Sequence, residues 1–296
     1  LHPQRRRQRQ MCIRDRDNSS SSFESSLSKN FPLNTELESY LTFRGKAKGS
    51  WLLSVSPNSE SFSVRTRHSF ISLPDEGYKP RKFDPRAGYG AMTFYDYASP
   101  IEDDLHVKYI RRHRLIKKYP EKEVSEAVEP IIYYLDRGVP EPVKSALLDG
   151  GAWWNEAFEA AGFKNAFQIK VLPEGADMLD VRYNVIQWVH RSTRGWSYGS
   201  SVVDPRTGEI IKGHVSLGSL RVRQDYLIAE GLLRPYGKEN HPDDLMKEMA
   251  IKRLRQLSAH EIGHTLGLSH NFISIARGRK SVMDYPHPLI KFSENK

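Results

Sequence analysis

The sequence predicts a protein of the α+β class, in which a β-rich region precedes a region of mixed strands and helices. From residue 31 to 126, segments rich in Val, Ile, Thr and aromatic residues are separated by turns containing Pro, Asn, Asp and Gly. From residue 127 to 296, strand-like segments alternate with helical patterns. A chain of 296 residues can bury the core of one large domain or two modest ones.

The first sixteen residues are excluded from fold reasoning. Residues 1–16 have no apolar pattern, and Met11–Arg16 resembles the translation of an adapter used in sequencing libraries, so we interpret the segment as an artefact. It contains the only cysteine, Cys12, together with six arginines and one aspartate, a net +5 out of the formal +9 of the chain. The remaining +4 gives little support to nucleic-acid binding.

The β-rich region follows a serine-rich segment, residues 17–30, which is predicted to be disordered. Strands are predicted at Glu36–Phe43, Ser61–Leu73 and Ala91–Tyr97. The basic cluster Arg111–Arg114 is interpreted as a solvated face beside acidic residues. A nucleic-acid patch is the alternative, but no aromatic residues interleave with the cluster as a stacking platform requires. No apolar run is long enough to span a membrane.

The region 127–296 begins with an apolar strand, Pro130–Leu135, and an amphipathic helix, Pro140–Ala161, that ends at Gly162. The next predicted elements are strands Phe167–Leu172 and Val181–Val189 and a hairpin of Gly199–Val203 with Glu209–Leu217. Ser219–Glu230 has a mixed pattern that assigns neither helix nor strand.

A long helix is then predicted from Asp243 or Asp244, either of which can cap it, to about Leu266. Its buried stripe is expected to consist of four apolar residues: Leu245, Met249, Leu254 and Leu257.

The C-terminal part of this helix carries three histidines and a glutamate in a fixed pattern. His260 and His264 lie four residues apart and therefore point the same way on a helix. Gly267 tolerates a positive φ, which ends the helix and returns His270 to the other two histidines. Three protein ligands with an open fourth position are typical of a catalytic zinc ion. Glu261 is placed to act on a water molecule without being a ligand.

The segment His260–His270 resembles the zinc signature of the metzincin metalloproteases at every defined position. Ser281–Tyr285 is similar to the Met-turn of that clan, in which a methionine, here Met283, underlies the zinc ion. The order of predicted elements from about Val128 onward is also similar to that of a metzincin catalytic domain. The resemblance implies a twisted mixed sheet, a backing helix, an active-site helix and the Met-turn.

Three further segments, Tyr183–His190, Gly208–Gly213 and Met283–Pro288, resemble a family of large bacterial zinc-dependent metalloproteases with a β-rich N-terminal region of unassigned function. The resemblance implies export to the periplasm or the outside of the cell. It also implies that residues 127–296 are a catalytic domain truncated at its C-terminus, because the usual C-terminal subdomain does not follow the Met-turn.

The resemblance implies roles for two other residues. Tyr285 lies two residues after the methionine, where related families have a tyrosine that binds zinc or stabilises the transition state; a structural hydroxyl is the alternative. His214 resembles a structural-zinc histidine, but no companion ligands are recognisable, so one catalytic zinc ion is expected.

The predicted function is zinc-dependent hydrolysis of peptide bonds, in which Glu261 acts as the general base on a water molecule activated by the metal. A peptide or protein is the expected substrate. One alternative is a zinc-binding scaffold or adhesion module without proteolytic activity, although such a module would not need Glu261. A second alternative is a zinc hydrolase that acts on non-peptide amides.

Overall fold

The computed structural model describes residues 15–45, 50–191, 196–233 and 243–284, with residues 289 and 291. These residues form two compact units, the first from Leu1–Ser72 with Leu179–Val181 and the second from Leu73–Met178 with Arg182–Lys296. The predicted α+β class is confirmed, since both units contain strands and helices. The division at residue 72 differs from the expected boundary at residue 126. Residues 73–126 belong to the same compact unit as most of the residues that follow them.

The first unit is an antiparallel sheet with a short helix. It contains β1 (Asp15–Phe23), β2 (Lys29–Asn30), β3 (Asn34–Arg44), β4 (Ser61–Ile71) and α1 (Ser50–Val55). Strand β3 pairs with each of the other three strands. The strands predicted at 36–43 and 61–73 are confirmed.

The prediction of disorder for residues 17–30 is wrong, because this segment contains most of β1, a 3-10 turn at Ser25–Leu27 and β2. The serines are compatible with order because their hydroxyls bond to backbone groups. The Ser21 hydroxyl donates to the Asp17 carbonyl at 2.6 Å and accepts from the Thr42 N–H at 3.0 Å. Of the segment interpreted as an artefact, Asp15 and Arg16 belong to β1, and residues 1–14 lie outside the described residues.

The buried side of β3 is polar. Glu36 and Glu38 are 3% and 5% exposed. The Glu36 carboxylate accepts from the Ser69 hydroxyl at 2.6 Å, and that of Glu38 accepts from Arg67 at 2.6 Å. Buried charges require such partners, since an unpaired carboxylate is costly away from water. Phe70 on β4 is 62% exposed, and no residue of that strand is buried.

The second unit has nine strands and three helices in its described part. The strands are β5 (Ala91–Tyr95), β6 (His106–Ile110), β7 (Ser125–Glu126), β8 (Ile131–Leu135), β9 (Phe163–Lys164), β10 (Phe167–Val171), β11 (Asn184–Val189), β12 (Tyr198–Val203) and β13 (Ile210–Gly218). The helices are α2 (Val143–Ala160), α3 (Leu220–Leu233) and α4 (Asp243–Thr265). None of the helices in the described ranges has the length and apolar character needed to cross a membrane.

A five-stranded mixed sheet is the centre of this unit, with the strand order β10-β8-β11-β13-β12. The first four strands are parallel, and β12 is an antiparallel edge strand in the described part of the chain. Helix α2 makes the crossover from β8 to β10, which suits parallel pairing. The predicted strands, the first helix and the hairpin are confirmed within a few residues. The unassigned segment 219–230 belongs to α3 except for its first residue, Ser219.

Helices α2 and α4 pack with their backbones in close approach. A Cβ atom at Gly150 of α2 would overlap the carbonyl of Arg255 on α4. Two hydrogen bonds cross the same interface, from the Ser258 hydroxyl to the Leu147 carbonyl at 2.7 Å and from the Trp154 indole N–H to the Ala259 carbonyl at 2.8 Å. The close packing fixes the position of α4 relative to the sheet.

The predicted apolar stripe of α4 is out of phase. Leu254 is fully buried, but Leu245 is 46% exposed and Met249 and Leu257 are only partly buried. The buried residues recur at intervals of four and include small and polar side chains: Met246, Ala250, Leu254, Ser258 and Ile262. Because this face includes Ser258, whose hydroxyl bonds to α2, an apolar pattern alone does not identify it.

The basic cluster at Arg111–Arg114 is not a solvated face, contrary to the prediction. All four residues are partly buried. Arg114 donates to Glu209 at 2.8 Å and to Asp75 at 2.6 Å, and the Arg112 guanidinium lies 4.4 Å from the centre of the Tyr78 ring. Two of these arginines therefore have intramolecular partners within the second unit.

Candidate metal centre

Three histidines converge at the C-terminal end of α4. His260 and His264 lie on successive turns of the helix, and His270 lies in the loop that follows it. The ligand nitrogens of all three residues lie within 4.8 Å of one another. The structure thus brings together the three residues that the sequence predicts to be metal ligands.

The return of His270 depends on Gly267. This residue has φ +99°, a conformation that side chains disfavour. A Cβ atom here would also overlap the carbonyl oxygen of Arg111. The predicted role of Gly267 as the turn residue agrees with this geometry, and the contact with Arg111 adds a second reason for glycine.

The loop after Gly267 is held by a segment far upstream in the sequence. The Gly90 N–H donates to the Gly267 carbonyl at 2.7 Å, and the Ser269 N–H donates to the Gly88 carbonyl at 2.9 Å. Between them, Tyr89 forms an antiparallel bridge with Leu268. These backbone bonds position the residue that precedes His270.

The imidazole rings are oriented by backbone carbonyls. His260 Nδ1 lies 2.7 Å from the Val282 carbonyl, and His264 Nδ1 lies 2.9 Å from the Leu268 carbonyl. A neutral imidazole that donates from Nδ1 presents an unprotonated Nε2. His264 Nε2 lies 3.1 Å from Nε2 of His260 and 3.1 Å from Nε2 of His270.

This arrangement fits a metal ion. Two nitrogens that are each ~2.05 Å from a tetrahedral zinc ion are separated by about 3.3 Å, close to the spacing of the Nε2 atoms here. Lone pairs that face one another repel, and a cation between them removes the repulsion. Carbonyl partners on Nδ1 are also the usual outer contacts of metal-bound histidines.

Burial favours the neutral form that binding requires. It lowers the pKa of His260 to about 4, against an opposing effect of the hydrogen bond to the Val282 carbonyl. Burial also lowers the pKa of His270. Neutral imidazole is the metal-binding form, so these two side chains do not require deprotonation at neutral pH.

Glu261 lies beside the histidines and is 6% exposed. Burial raises the pKa of its carboxyl to about 7, while a backbone hydrogen bond from Gly199 and the charge of Arg221 act in the opposite direction. A Cβ atom at Gly199 would overlap the Glu261 carbonyl, so edge strand β12 passes directly against this turn of α4. A carboxyl group with a pKa near the operating pH suits proton transfer.

Met283 is 4% exposed and lies against α4 at Gly263. A Cβ atom at Gly263, between the two helical histidines, would overlap the Met283 sulfur and the Trp154 ring. The Asn271 N–H donates to the Met283 carbonyl at 2.9 Å, which connects the turn to the residue after His270. Tyr285, predicted to assist catalysis, lies outside the described residues.

Several contributing residues were not identified from the sequence. The carbonyls of Val282 and Leu268 have no sequence signal because any residue supplies a carbonyl. Gly263 lies at a variable position of the zinc motif, and only its contact with Met283 explains why glycine fits there. Gly199 occurs in the predicted edge strand, where a glycine can indicate close backbone approach.

The described residues contain one group of three His, Cys, Asp or Glu side chains with metal-binding spacing, namely the histidines above. His214 on β13 lies 3.2 Å from the Gln187 amide oxygen instead. His113 lies 3.2 Å from the Tyr133 hydroxyl.

Comparison with known families agrees with the geometry of the site. Residues 242–296, which include the three histidines and Met283, match a family described as Met-zincin. Residues 2–118 match a family described as a domain of unknown function (DUF5117), a range that includes residues 2–16. No curated protein gives a match to the chain. The resemblance to the metzincin metalloproteases is thereby confirmed for residues 242–296, and the match points to a zinc metallopeptidase in general terms.

Proposed function

We propose that this protein is a zinc-dependent endopeptidase that hydrolyses peptide bonds with Glu261 as general base. The observation that carries the proposal is the convergence of three histidines, in which His264 Nε2 lies 3.1 Å from the Nε2 atoms of both His260 and His270, next to the buried carboxyl group of Glu261. A site that only stabilised the fold would need the histidines but not this carboxylate.

One zinc ion would be held by His260, His264 and His270. When bound, zinc supplies Lewis acidity, which polarises a carbonyl group and allows water to be deprotonated near neutral pH. The Val282 and Leu268 carbonyls keep the Nε2 atoms of the helical histidines directed at the ion. Met283 fills the space beneath the helix at Gly263 and prevents the ligands from shifting.

Glu261 would move the proton. A carboxylate oxygen of Glu261 takes a proton from the attacking water, and the same carboxyl group delivers it to the leaving amine. Its low exposure keeps bulk water away during the transfer. We assign to Tyr285 a hydrogen bond to the oxyanion that develops on the substrate, with metal ligation as the alternative role.

Edge strand β12 would bind the substrate. Its one sheet partner in the described part of the chain is β13, and its alternate residues Tyr198, Ser200 and Val202 are exposed. An extended peptide can pair with such an edge by backbone hydrogen bonds. Because β12 contacts α4 at Glu261, a peptide bound there lies next to the general base. This edge favours peptides over non-peptide amides, and the family resemblance favours action in the periplasm or outside the cell.

The test combines metal analysis with peptide hydrolysis. We expect the purified protein to contain about one zinc per chain and to cleave a quenched fluorescent peptide library in a chelator-sensitive manner. Glu261→Ala should keep the zinc and lose at least about a hundredfold in rate, since general-base catalysis contributes about 10²–10⁴-fold. His270→Ala should lose the zinc itself.

The two variants separate the roles of the residues. If Glu261→Ala still hydrolyses peptides at the wild-type rate, Glu261 is not the general base. Metal content unchanged in His270→Ala would remove His270 from the ligand set. Zinc binding by the wild type without chelator-sensitive cleavage of any peptide would refute the endopeptidase and favour a scaffold.

A further inference from the structure

Strand β12 lies along the last turn of α4, and its steps match those of the helix. A Cβ atom at Gly199 would overlap the Glu261 carbonyl. Two residues later, the Ser201 hydroxyl donates to the Thr265 carbonyl at 3.0 Å. Two residues of a strand advance about 6.7 Å and four residues of a helix advance about 6.0 Å, so both contacts form without distortion of either element. The strand therefore follows the helix over the turn that carries Glu261 and His264.

The acceptor of the Ser201 bond is a buried group at the end of a helix. Thr265 is the last residue of α4 and is 0% exposed. The carbonyls of residues 262–264 accept N–H groups from the turn that follows the helix, whereas the Thr265 carbonyl accepts the Ser201 hydroxyl. The last carbonyls of a helix have no partner within it, and a buried carbonyl without a donor is destabilising. Ser201 thus supplies from β12 a bond that α4 cannot make internally.

Strand β12 donates two hydrogen bonds to α4 that differ in their acceptors. The Gly199 N–H donates to the Glu261 side chain, which can rotate to follow the strand. The Ser201 hydroxyl reaches the backbone of the helix instead. Because a hydrogen bond depends on direction as well as distance, a bond to a fixed carbonyl selects one alignment of strand and helix. The Gly199 bond to the general base depends on that alignment.

The Ser201 side chain is directed at α4 and not at the position of a bound peptide. Tyr198, Ser200 and Val202 are exposed, whereas Ser201 is partly buried. A peptide added to the edge of β12 would pair with its backbone, so a displacement of the strand moves the peptide with it. Misplacement of reacting groups by about 1 Å can lower a rate about a hundredfold. The Ser201 bond therefore acts on the reaction through the position of the strand.

We propose that Ser201 is a positioning residue that fixes the register of β12, and of a peptide paired with it, relative to Glu261 and the three histidines. This role rests on the proposed peptidase function and adds how the site selects the bond to be cleaved. Without the Ser201 hydroxyl, the Thr265 carbonyl loses its donor and β12 can shift along α4. Neighbouring bonds of the same peptide would then reach the general base.

The test compares the cleavage patterns of Ser201→Ala and the wild type, both saturated with zinc. One peptide that the wild type cleaves mainly at a single bond is digested, and mass spectrometry gives the share of product from each bond. We expect Ser201→Ala to cleave the adjacent bonds as well, so that the share of the principal bond falls by about half. Its kcat should fall about ten- to a hundredfold with KM changed less than about threefold, because backbone pairing with the peptide is retained.

Two further variants separate positioning from general stability. Ser201→Thr keeps the hydroxyl and suits a strand, so it should restore the wild-type cleavage pattern. Ser125→Ala is the matched control, since Ser125 is 4% exposed and its hydroxyl donates to the Glu126 carbonyl at 2.9 Å, outside the metal centre. This control should lower the urea midpoint of unfolding and leave the cleavage pattern unchanged. A Ser201 with a purely structural role would behave in the same way.

Hydrogen exchange provides a measurement that does not depend on turnover. In zinc-bound protein, the amides of β12 should exchange about tenfold faster in Ser201→Ala than in the wild type, and at the wild-type rate in Ser125→Ala. If the wild type hydrolyses peptides, a cleavage pattern unchanged in Ser201→Ala would overturn the positioning role, whatever the exchange rates. If the wild type hydrolyses no peptide, faster exchange in Ser201→Ala would sink the peptidase proposal and keep the alignment of β12 by Ser201. Equal exchange rates in that case would remove both.

Discussion

The contact of α2 with α4 at Gly150 gives the most direct test of how the metal centre is supported. Replacing Gly150 with alanine places a Cβ atom where the Arg255 carbonyl lies. The position of the new Cβ atom is fixed by the backbone of α2, and the atoms that it meets belong to the backbone of α4, so no rotation of a side chain relieves the overlap. The two helices must move apart, and α4 carries His260, Glu261 and His264.

Two effects of opposite sign decide the magnitude. Alanine is favoured over glycine inside a helix by about 1 kcal/mol. Overpacking costs about 1–3 kcal/mol or more, and the upper part of this range applies because separation also lengthens the bonds from Ser258 to Leu147 and from Trp154 to Ala259. We expect Gly150→Ala to lower the free energy of unfolding by about 2 kcal/mol.

The assay is urea unfolding of metal-free protein, followed by a zinc-affinity measurement on the same variant. Gly231→Ala is the matched control, since Gly231 lies in α3 and a Cβ atom there would meet nothing within 4 Å. The control should gain up to about 1 kcal/mol from helix propensity. Gly150→Ala should also bind zinc more weakly, because the two helical ligands move with α4. A Gly150→Ala protein as stable as the control, with unchanged zinc affinity, would refute the close-approach argument.

Two other predictions concern the loop that carries His270 and the pH dependence of stability. Gly267→Ala should weaken zinc affinity about tenfold or more, because backbone strain and the overlap with the Arg111 carbonyl displace His270. Competition with a chromogenic chelator measures the zinc affinity, and an unchanged affinity would contradict the proposed turn. Burial lowers the pKa of His113 to about 4, so the unfolded chain takes up this proton near pH 6.5 and the folded chain only near pH 4. Stability is therefore complete above pH 6.5 and falls by at most about 3 kcal/mol toward pH 4. With a metal chelator present, His113→Gln should lose less unfolding free energy than the wild type when the pH falls from 7.5 to 4.5. Equal shifts of the urea midpoint in the two proteins would contradict the lowered pKa of His113.

Elements with strong local signals were predictable from the sequence. Helix α2 has an apolar face and a glycine stop, and the β12–β13 hairpin has alternating strands around an Asp-Pro-Arg-Thr-Gly turn. The zinc motif was predictable for a different reason. The spacing of His260 and His264 on one helix face follows from helix geometry, and a turn at Gly267 follows from its tolerance of positive φ, although residues 88–90 also hold the loop that carries His270.

The features that depend on partners far away in the sequence were not predictable. The buried face of α4 packs partly on α2, where Ser258 donates to the Leu147 carbonyl and lies close to Gly151, and a stripe of apolar residues does not include such a polar side chain. Residues 17–30 look disordered because serine has little apolar surface, yet β3 supplies their backbone partners. The partners of Arg114, Asp75 and Glu209, lie 39 and 95 residues away from it in the chain.

The bridge between Tyr89 and Leu268 has a consequence for how the chain can be divided. The two family matches, residues 2–118 and 242–296, suggest separable modules, but residues 88–90 of the first hold the zinc loop of the second. An expression boundary placed at residue 127 would remove those backbone partners and leave the carbonyl of Gly267 without its N–H donor. The position of His270, the predicted third ligand, is also fixed by contacts about 180 residues apart, so it is expected to form late in folding, after the upstream segment has docked.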